Sequence, residues 1–512
     1  NEITLGTTDF SVTSVNDINL GGGSIEGSAG ADTFDVTDAN ALTSAGIDFT
    51  GVNTVNAGTG TDINDDENTD RVNTNGSNAV LSGSASANAA TVESILFGDI
   101  QILDLNNTSG TNGVLTGAAG SDTFTITGTA LSANGIDIQN VEGNEINAGG
   151  GLDTFAGDAA GWSLTGVDGE LTDTTSGTYT FNGVDDAVLS EGILNGTSGA
   201  DTFDVTDANA LTSAGIDFTG VNTVNAGTGT DINDDENTDR VNTNGSNAVL
   251  SGSANANAAT VESILFGDIQ ILDLNNTSGT NGALTGAAGS DTFTITGTAL
   301  SANGIDIQNV EGNEINAGGG LDTFAGDAAG WSLTGVDGEL TDTTSGTYTF
   351  NSVDEAVLSQ GILNGTSGAD TFDVTDANAL TSAGIDFTGV NTVNAGTGTD
   401  INDDENTDRV NTNGSNAVLS GSANANAATV ESILFGDIQI LDLNNTSGTN
   451  GTLTGASGSD TFTISGTALS ANGIDIQNVE GNEINAGGGL DTFAGDAAGW
   501  SLTGVDGELT DT

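Results

Sequence analysis

Two short stretches decide the fold. The first is Gly27-Ser28-Ala29-Gly30-Ala31-Asp32-Thr33-Phe34-Asp35-Val36-Thr37. The second is Gly46-Ile47-Asp48-Phe49-Thr50-Gly51-Val52-Asn53-Thr54-Val55-Asn56-Ala57-Gly58. Phe34 and Val36 fall on one side of an extended chain, Asp35 and Thr37 on the other. Ile47 and Phe49 repeat the pattern against Asp48 and Thr50. A period of two with aromatic and β-branched residues predicts half-buried strands. The Gly, Asn, Asp and Ser between them supply turns, through positive φ and side-chain-to-backbone bonds.

The same stretches return. Asp32 recurs as Asp201 and again as Asp370, at equal intervals (201 − 32 = 370 − 201 = 169), inside the same Gly-Ala-Asp-Thr-Phe-Asp-Val-Thr octamer. Arg71, Arg240 and Arg409 keep that step, and they are the only basic residues. A long, constant period marks a chain built by stacking one module. Differences are mild: Val114 becomes Ala283 and Thr452, Gly183 becomes Ser352, Asp186 becomes Glu355 and Glu191 becomes Gln360. The expected division is a diverged module end over 1–26, then modules over 27–174, 175–343 and 344–512. Thr512 corresponds to Thr343 and Thr174, after which both earlier modules run on, while Phe10, Val12, Val15 and Leu20 align with Tyr179, Phe181, Val184 and Leu189. The expectation is a segment of a longer repetitive protein, with any export signal or anchor outside it.

Within a module there are two related halves. Asp122-Thr123-Phe124-Thr125-Ile126-Thr127 echoes Asp32 to Thr37, and Gly135-Ile136-Asp137-Ile138 echoes Gly46 to Phe49. Further alternating pairs are Ile100 with Ile102 and Tyr179 with Phe181. No helical stripe is sustained. Two all-β architectures answer this pattern: a parallel β-helix (β-solenoid), or a string of β-sandwich domains of about 80–90 residues. Aromatics are 4% of the chain and there are 3 Trp, which is thin for sandwich cores. A solenoid fills a narrow core with stacked Val, Ile, Leu and Phe. The solenoid is therefore expected, at eight rungs of roughly 21 residues per module and about 24 rungs in all. Phe34, Val36, Ile47, Phe49, Ile100, Ile102, Phe124, Ile126, Ile136, Ile138, Leu164 and Phe181 should point inward. Asp35, Asp48, Asp99 and Asp137 should face solvent.

Gly27 to Phe34 and Gly117-Ala118-Ala119-Gly120-Ser121-Asp122-Thr123-Phe124 resemble degenerate calcium-binding repeats of haemolysin-type proteins. The Gly46–Gly58 pattern is similar to that of very large bacterial surface adhesins and filamentous-haemagglutinin-like β-helices. The resemblance implies secretion, a β-helical fold and a structural or adhesive role. It does not carry the family's calcium geometry to Asp32, Asp122 or Asp153. There the motifs are consecutive, whereas here each stands alone and reads as a corner Asp capping a turn.

Composition removes several classes. There is no Cys, Met, His, Pro or Lys. Disulfides and thiolate zinc sites are excluded, and so is histidine acid–base chemistry. The apolar share of 35% in short regular runs argues against disorder. No apolar run is long enough to span a membrane. The net charge is −69. Spread over about 24 rungs at ~4.8 Å, that is about one negative charge per 1.7 Å, near the axial density of duplex DNA. Nucleic acid is excluded as a partner. Expected partners are other copies of the chain, lateral or end to end, or a surface glycan.

One loop is densest in acid. Asp62, Asn64, Asp66, Asn68 and Asp70 place oxygens at alternate positions before Arg71. The copies are Asp231, Asn233, Asp235, Asn237 and Asp239, then Asp400, Asn402, Asp404, Asn406 and Asp408. Calcium takes six to eight oxygens from such flexible loops, so calcium is the expected cofactor here. The competing reading is a solvated acidic turn paired with the following Arg. In function, the leading expectation is a non-catalytic shaft of an extracellular fibre or giant adhesin on a bacterial surface in saline surroundings. The alternatives are a glycan- or ice-binding solenoid, from the Thr-x-Thr stretches at Thr33, Thr123, Thr125 and Thr127, or a β-helical polysaccharide-degrading enzyme.

Overall fold

In the computed structural model the described residues are 14–511, leaving out 59–68, 83–87, 158–160, 175–178, 191, 228–237, 252–256, 327–329, 344–347, 360, 397–406, 421–425, 496–498 and 504–506. Residues 1–243 with 260–269 form one compact unit, and 244–259 with 270–512 form a second. The fold is all-β, 51% strand and 2% helix, and is a parallel β-solenoid of about 13 turns.

The strands of the first unit lie on two faces, and the chain alternates between them. On the first face, Ile47–Asn56 opens a three-stranded antiparallel meander with Ala41–Ser44 and Thr33–Asp38. Parallel strands follow in the order Arg71–Asn73, Ile102–Asp104 and Ile136–Gln139. A second meander steps through Ala130–Ala133 to Thr123–Thr127. Then come Leu152–Gly157, Asp186–Leu189 and Ile216–Thr219, parallel again. The second face repeats the scheme. The end of Ile47–Asn56 pairs with Ile95–Gly98, which leads back through Ala90–Val92 to Ala79–Leu81. Leu115–Thr116, Glu145–Asn147 and Thr180–Asn182 continue in parallel. Glu170–Asp173 and Trp162–Leu164 make its second meander, before Ile193–Asn195 and Thr223–Asn225.

This corrects the expected rung. One parallel step runs from Ile193 to Thr223 (223 − 193 = 30) and another from Thr54 to Leu96 (96 − 54 = 42). Both exceed the rung of roughly 21 that the sequence pattern suggests. Each turn crosses both faces, and the meanders spend three strands on one face before the chain moves on. On either face ten strand layers separate a strand from its copy in the next module. The antiparallel pairing foreseen for a sandwich does occur, as meanders inside a parallel stack.

The meander turns have a local cause. Ala45 and Gly46 have φ of 50° and 74°, Asn134 and Gly135 have 51° and 84°, and Glu93 and Ser94 have 46° and 68°. Two central residues at positive φ make the tight hairpin turn whose twist matches antiparallel strands.

The core is the inward side of both faces. Phe34, Val36, Ile47, Phe49, Ile100, Phe124, Ile126, Ile136, Ile138, Leu164 and Phe181 are all buried. Ile102 is the exception. It is half-buried, and Leu103 points inward in its place. The chain bends at Gln101, between Ile100 and Ile102, so the alternation restarts with the strand Ile102–Asp104, to which Ile100 does not belong. Asp35 and Asp48 are exposed, whereas Asp99 and Asp137 are half-buried. Large side chains cluster once per module. Phe181 lies 5.0 Å from Phe124, 5.3 Å from Phe155 and 5.5 Å from Trp162, ring to ring. Phe350, Phe293, Phe324 and Trp331 repeat this in the second unit.

Candidate functional site

Three arrangements of polar groups stand out, and the first lies at a corner of the solenoid. In the first, Gly27 and Asp32 bracket a turn. A Cβ on Gly27 would sit 1.9 Å from the Ala57 carbonyl oxygen, and one on Gly117 1.9 Å from that of Ala148. Only glycine lets the following turn of backbone approach so closely. The Asp closes the turn: the Ser28 N–H donates to Asp32 Oδ2 at 2.5 Å, and the Ala118 N–H to Asp122 Oδ2 at 2.7 Å. The corner-cap reading of Asp32 and Asp122 is the observed one.

A second carboxylate ties that corner to the next turn. The backbone N–H of Asp32 donates to Asp70 Oδ1 at 2.7 Å, and that of Asp122 to Asp153 Oδ1 at 2.9 Å. Asp201 with Asp239, and Asp291 with Asp322, do the same. Asp70 and Asp239 are fully buried, as is Asp408, which accepts from the Asp370 N–H. So Asp70, Asp239 and Asp408, expected among the calcium ligands, hold one turn to another. The other expected ligands lie outside the described residues: Asp62, Asn64, Asp66 and Asn68; Asp231, Asn233, Asp235 and Asn237; Asp400, Asn402, Asp404 and Asn406. Among the described residues no group of three or more His, Cys, Asp or Glu is gathered to hold a metal.

Burial pushes the Asp153 carboxyl up to about 7, against the stabilising N–H of Asp122. The charges of Asp122, Asp186 and Asp185 add to the rise. Asp322 is raised to about 7 for the same leading reason. Asp122 and Asp291 are also raised by burial, although Asn134 and Asn303 donate to them. Low dielectric disfavours the charged form, and adjacent like charges reinforce it.

The second arrangement centres on Arg71, on the outer side of the first face. Its guanidinium reaches Asp104 at 2.5 Å and Gln139 at 2.9 Å, two successive turns away. The register makes a column of Asp48, Thr43, Asp35, Asn73, Asp104 and Gln139. Thr43 donates to Asp48 at 2.7 Å, and Asn73 to Asp35 at 2.6 Å. Donors therefore alternate with carboxylates, and like charges do not stand directly opposed. In the second unit Arg409 pairs with Asp442 and Gln477. Burial alone would raise the Asp442 carboxyl. Asn478, the Asn444 N–H and Arg409 outweigh it and hold the carboxyl below its usual range. The Arg thus serves the exposed ladder of the face as well as following the acidic loop.

The third arrangement is a difference between faces. In the same stretch of the first unit, the strands of the first face carry Asp48, Asp35, Asp38, Arg71, Asp104 and Asp137. Those of the second face, from Thr54 through Leu96, Thr91 and Val80 to Thr116, carry no ionisable side chain. Reading alternation alone could not show this, because it does not assign a strand to a face.

No family model, curated protein or solved structure matches the chain.

Proposed function

We propose that this chain is a non-catalytic structural shaft of an extracellular fibre or giant surface adhesin, working in saline surroundings with other copies of itself or a surface glycan as partner. The observation that carries this reading is the regular return of equivalent strands. Ten layers on each face return the chain to an equivalent strand, so each module offers the next the same ladder of backbone bonds. Such arrays gain length without changing their local packing. The polar groups serve the stack itself. Asp122 and Asp153, whose raised carboxyls would suit acid catalysis, are 1% and 2% exposed and accept backbone N–H groups. The resemblance to haemolysin-type and adhesin repeats points to the same role.

The test is to label native material with antibody to the module and to image chains carrying one added copy of the module. Label on extracellular fibres is expected, as is a length increment of about 48 Å, ten layers at ~4.8 Å. Label confined to the cell interior, or no regular increment, would overturn the reading.

Calcium at the loops following Asp62, Asp231 and Asp400 belongs to the same proposal. Its support is the alternate spacing of oxygens, less the contribution of Asp70 and its copies to the turn-to-turn ties. Specific binding should raise Tm with free calcium and then saturate, while screening responds to ionic strength alone. In matched sodium and calcium melts, Asp66→Asn, Asp235→Asn and Asp404→Asn together should abolish the calcium preference. An unchanged preference, or none at the outset, leaves a solvated acidic turn.

A further inference from the structure

Along the second face the outward side chains form one continuous stripe. Thr54 stands beside Leu96, Leu96 beside Thr91, Thr91 beside Val80 and Val80 beside Thr116. Leu96 is 41% exposed and Val80 44%. The second unit contains a full copy: Thr392, Leu434, Thr429, Val418 and Thr454 in the same register. Glu93 and Asp99, nearest Leu96 in sequence, lie in turns, and the exposed Glu145 stands on the next strand of the face, beyond Thr116.

We propose that this stripe is the surface through which two copies of the chain pack side by side, second face to second face. The argument for a second copy is electrostatic and periodic. On a chain of net charge −69, contact through the first face would bring together the carboxylates of Asp48, Asp35, Asp38, Asp104 and Asp137, a repulsion that costs free energy. A cationic partner would be drawn to that acidic face instead. The uncharged stripe fits a surface that is also uncharged, weakly apolar and flat at the spacing of a β-sheet. Another copy carries that same surface once in every module, so one engaged stripe tethers the others. Five layers three residues wide cover about 240 Å², well under the ~800 Å² per partner of a stable interface. Association is therefore built by repetition along the chain, each engaged stripe raising the effective concentration of the next.

The inference rests on the shaft reading and deepens it, narrowing its partner to another copy and placing the contact on the second face, and the test separates the two. Sedimentation of the full chain should show concentration-dependent association that strengthens as salt screens the net charge. Leu96→Asp, Leu265→Asp and Leu434→Asp together should weaken it by roughly tenfold or more, as like charges are brought face to face. Thr50→Asp, Thr219→Asp and Thr388→Asp, exposed on the first face, add the same charge and should leave association intact. Circular dichroism and melts confirm that both variants are folded. A wild-type chain that stays monomeric at every salt concentration overturns the proposal and leaves the shaft reading standing. So does association that survives the leucine substitutions, or that is lost equally in the threonine control. A monomer that instead binds the neutral oligosaccharide maltohexaose, and loses it with the leucine substitutions, overturns it in favour of a glycan surface.

Discussion

Replacing Phe181 with alanine is expected to cost the turns around it about 3–5 kcal/mol without unfolding the chain as a whole. Phe181 is fully buried and touches three other rings, those of Phe124, Phe155 and Trp162. A narrow solenoid core cannot close the cavity from a second layer behind it. The lost contacts and the void therefore both count. The damage should stay local because each turn contacts only its neighbours. Hydrogen exchange should speed up over about 120–195 and stay near wild-type over 409–477 in the second unit. Equal loss of protection across both stretches would refute nearest-neighbour stability, and with it the solenoid account of how the chain is held together.

Lowering the pH from 8 to 5 is expected to stabilise the protein. Asp153 and Asp322 have folded-state carboxyls raised from 3.8 to about 7. Above pH 7 they are ionised in both folded and unfolded chains, and the folded chain bears the cost of a buried charge. Between about 7 and 3.8 the folded chain holds the proton and the unfolded chain does not. Stability therefore rises as pH falls through the folded value, on the order of a few kcal/mol per site, and levels off below the unfolded value. The lowered carboxyl of Asp442 acts oppositely, but only below about its ordinary value of 3.8. The check is Tm at constant ionic strength for the wild type and for Asp153→Asn with Asp322→Asn. Asparagine keeps an oxygen for the Asp122 and Asp291 N–H groups. The variant should be the more stable at pH 8 and nearly flat between 8 and 6. Parallel curves would mean that relief of general self-repulsion, and not these two carboxyls, sets the slope.

Much of the fold is legible in the residues. Phe34 with Val36, and Ile47 with Phe49, alternate cleanly, and all four are buried. The corner role of Asp32 and Asp122 follows from Gly-x-x-Gly-x-Asp, because a short carboxylate can reach the N–H groups of its own turn. Two features are less legible. Continuing the alternation from Ile100 puts Ile102 inward, and the bend at Gln101 breaks it. Counting rungs without the antiparallel turns makes each rung too short. Asn134-Gly135 carries the usual signal for such a turn. Glu93-Ser94 carries none, since neither residue favours positive φ.

By itself the sequence determined what is local or periodic: strands of period two, the long repeated module, the capped corners and the excess of acid. These depend on a residue and its near neighbours, so they can be read in order along the chain. Tertiary structure alone decided which strands share a face. The register between successive turns, such as Ile193 on Thr223 and Thr54 on Leu96, joins segments far apart in the chain. It sets Arg71 against Asp104 and Gln139 and buries Asp153 beside Asp122. It also sets acid along the first face beside five second-face layers, those of Thr54, Leu96, Thr91, Val80 and Thr116, that have none. Those placements arise from which turn lies on which, and that is settled by packing between segments distant in sequence.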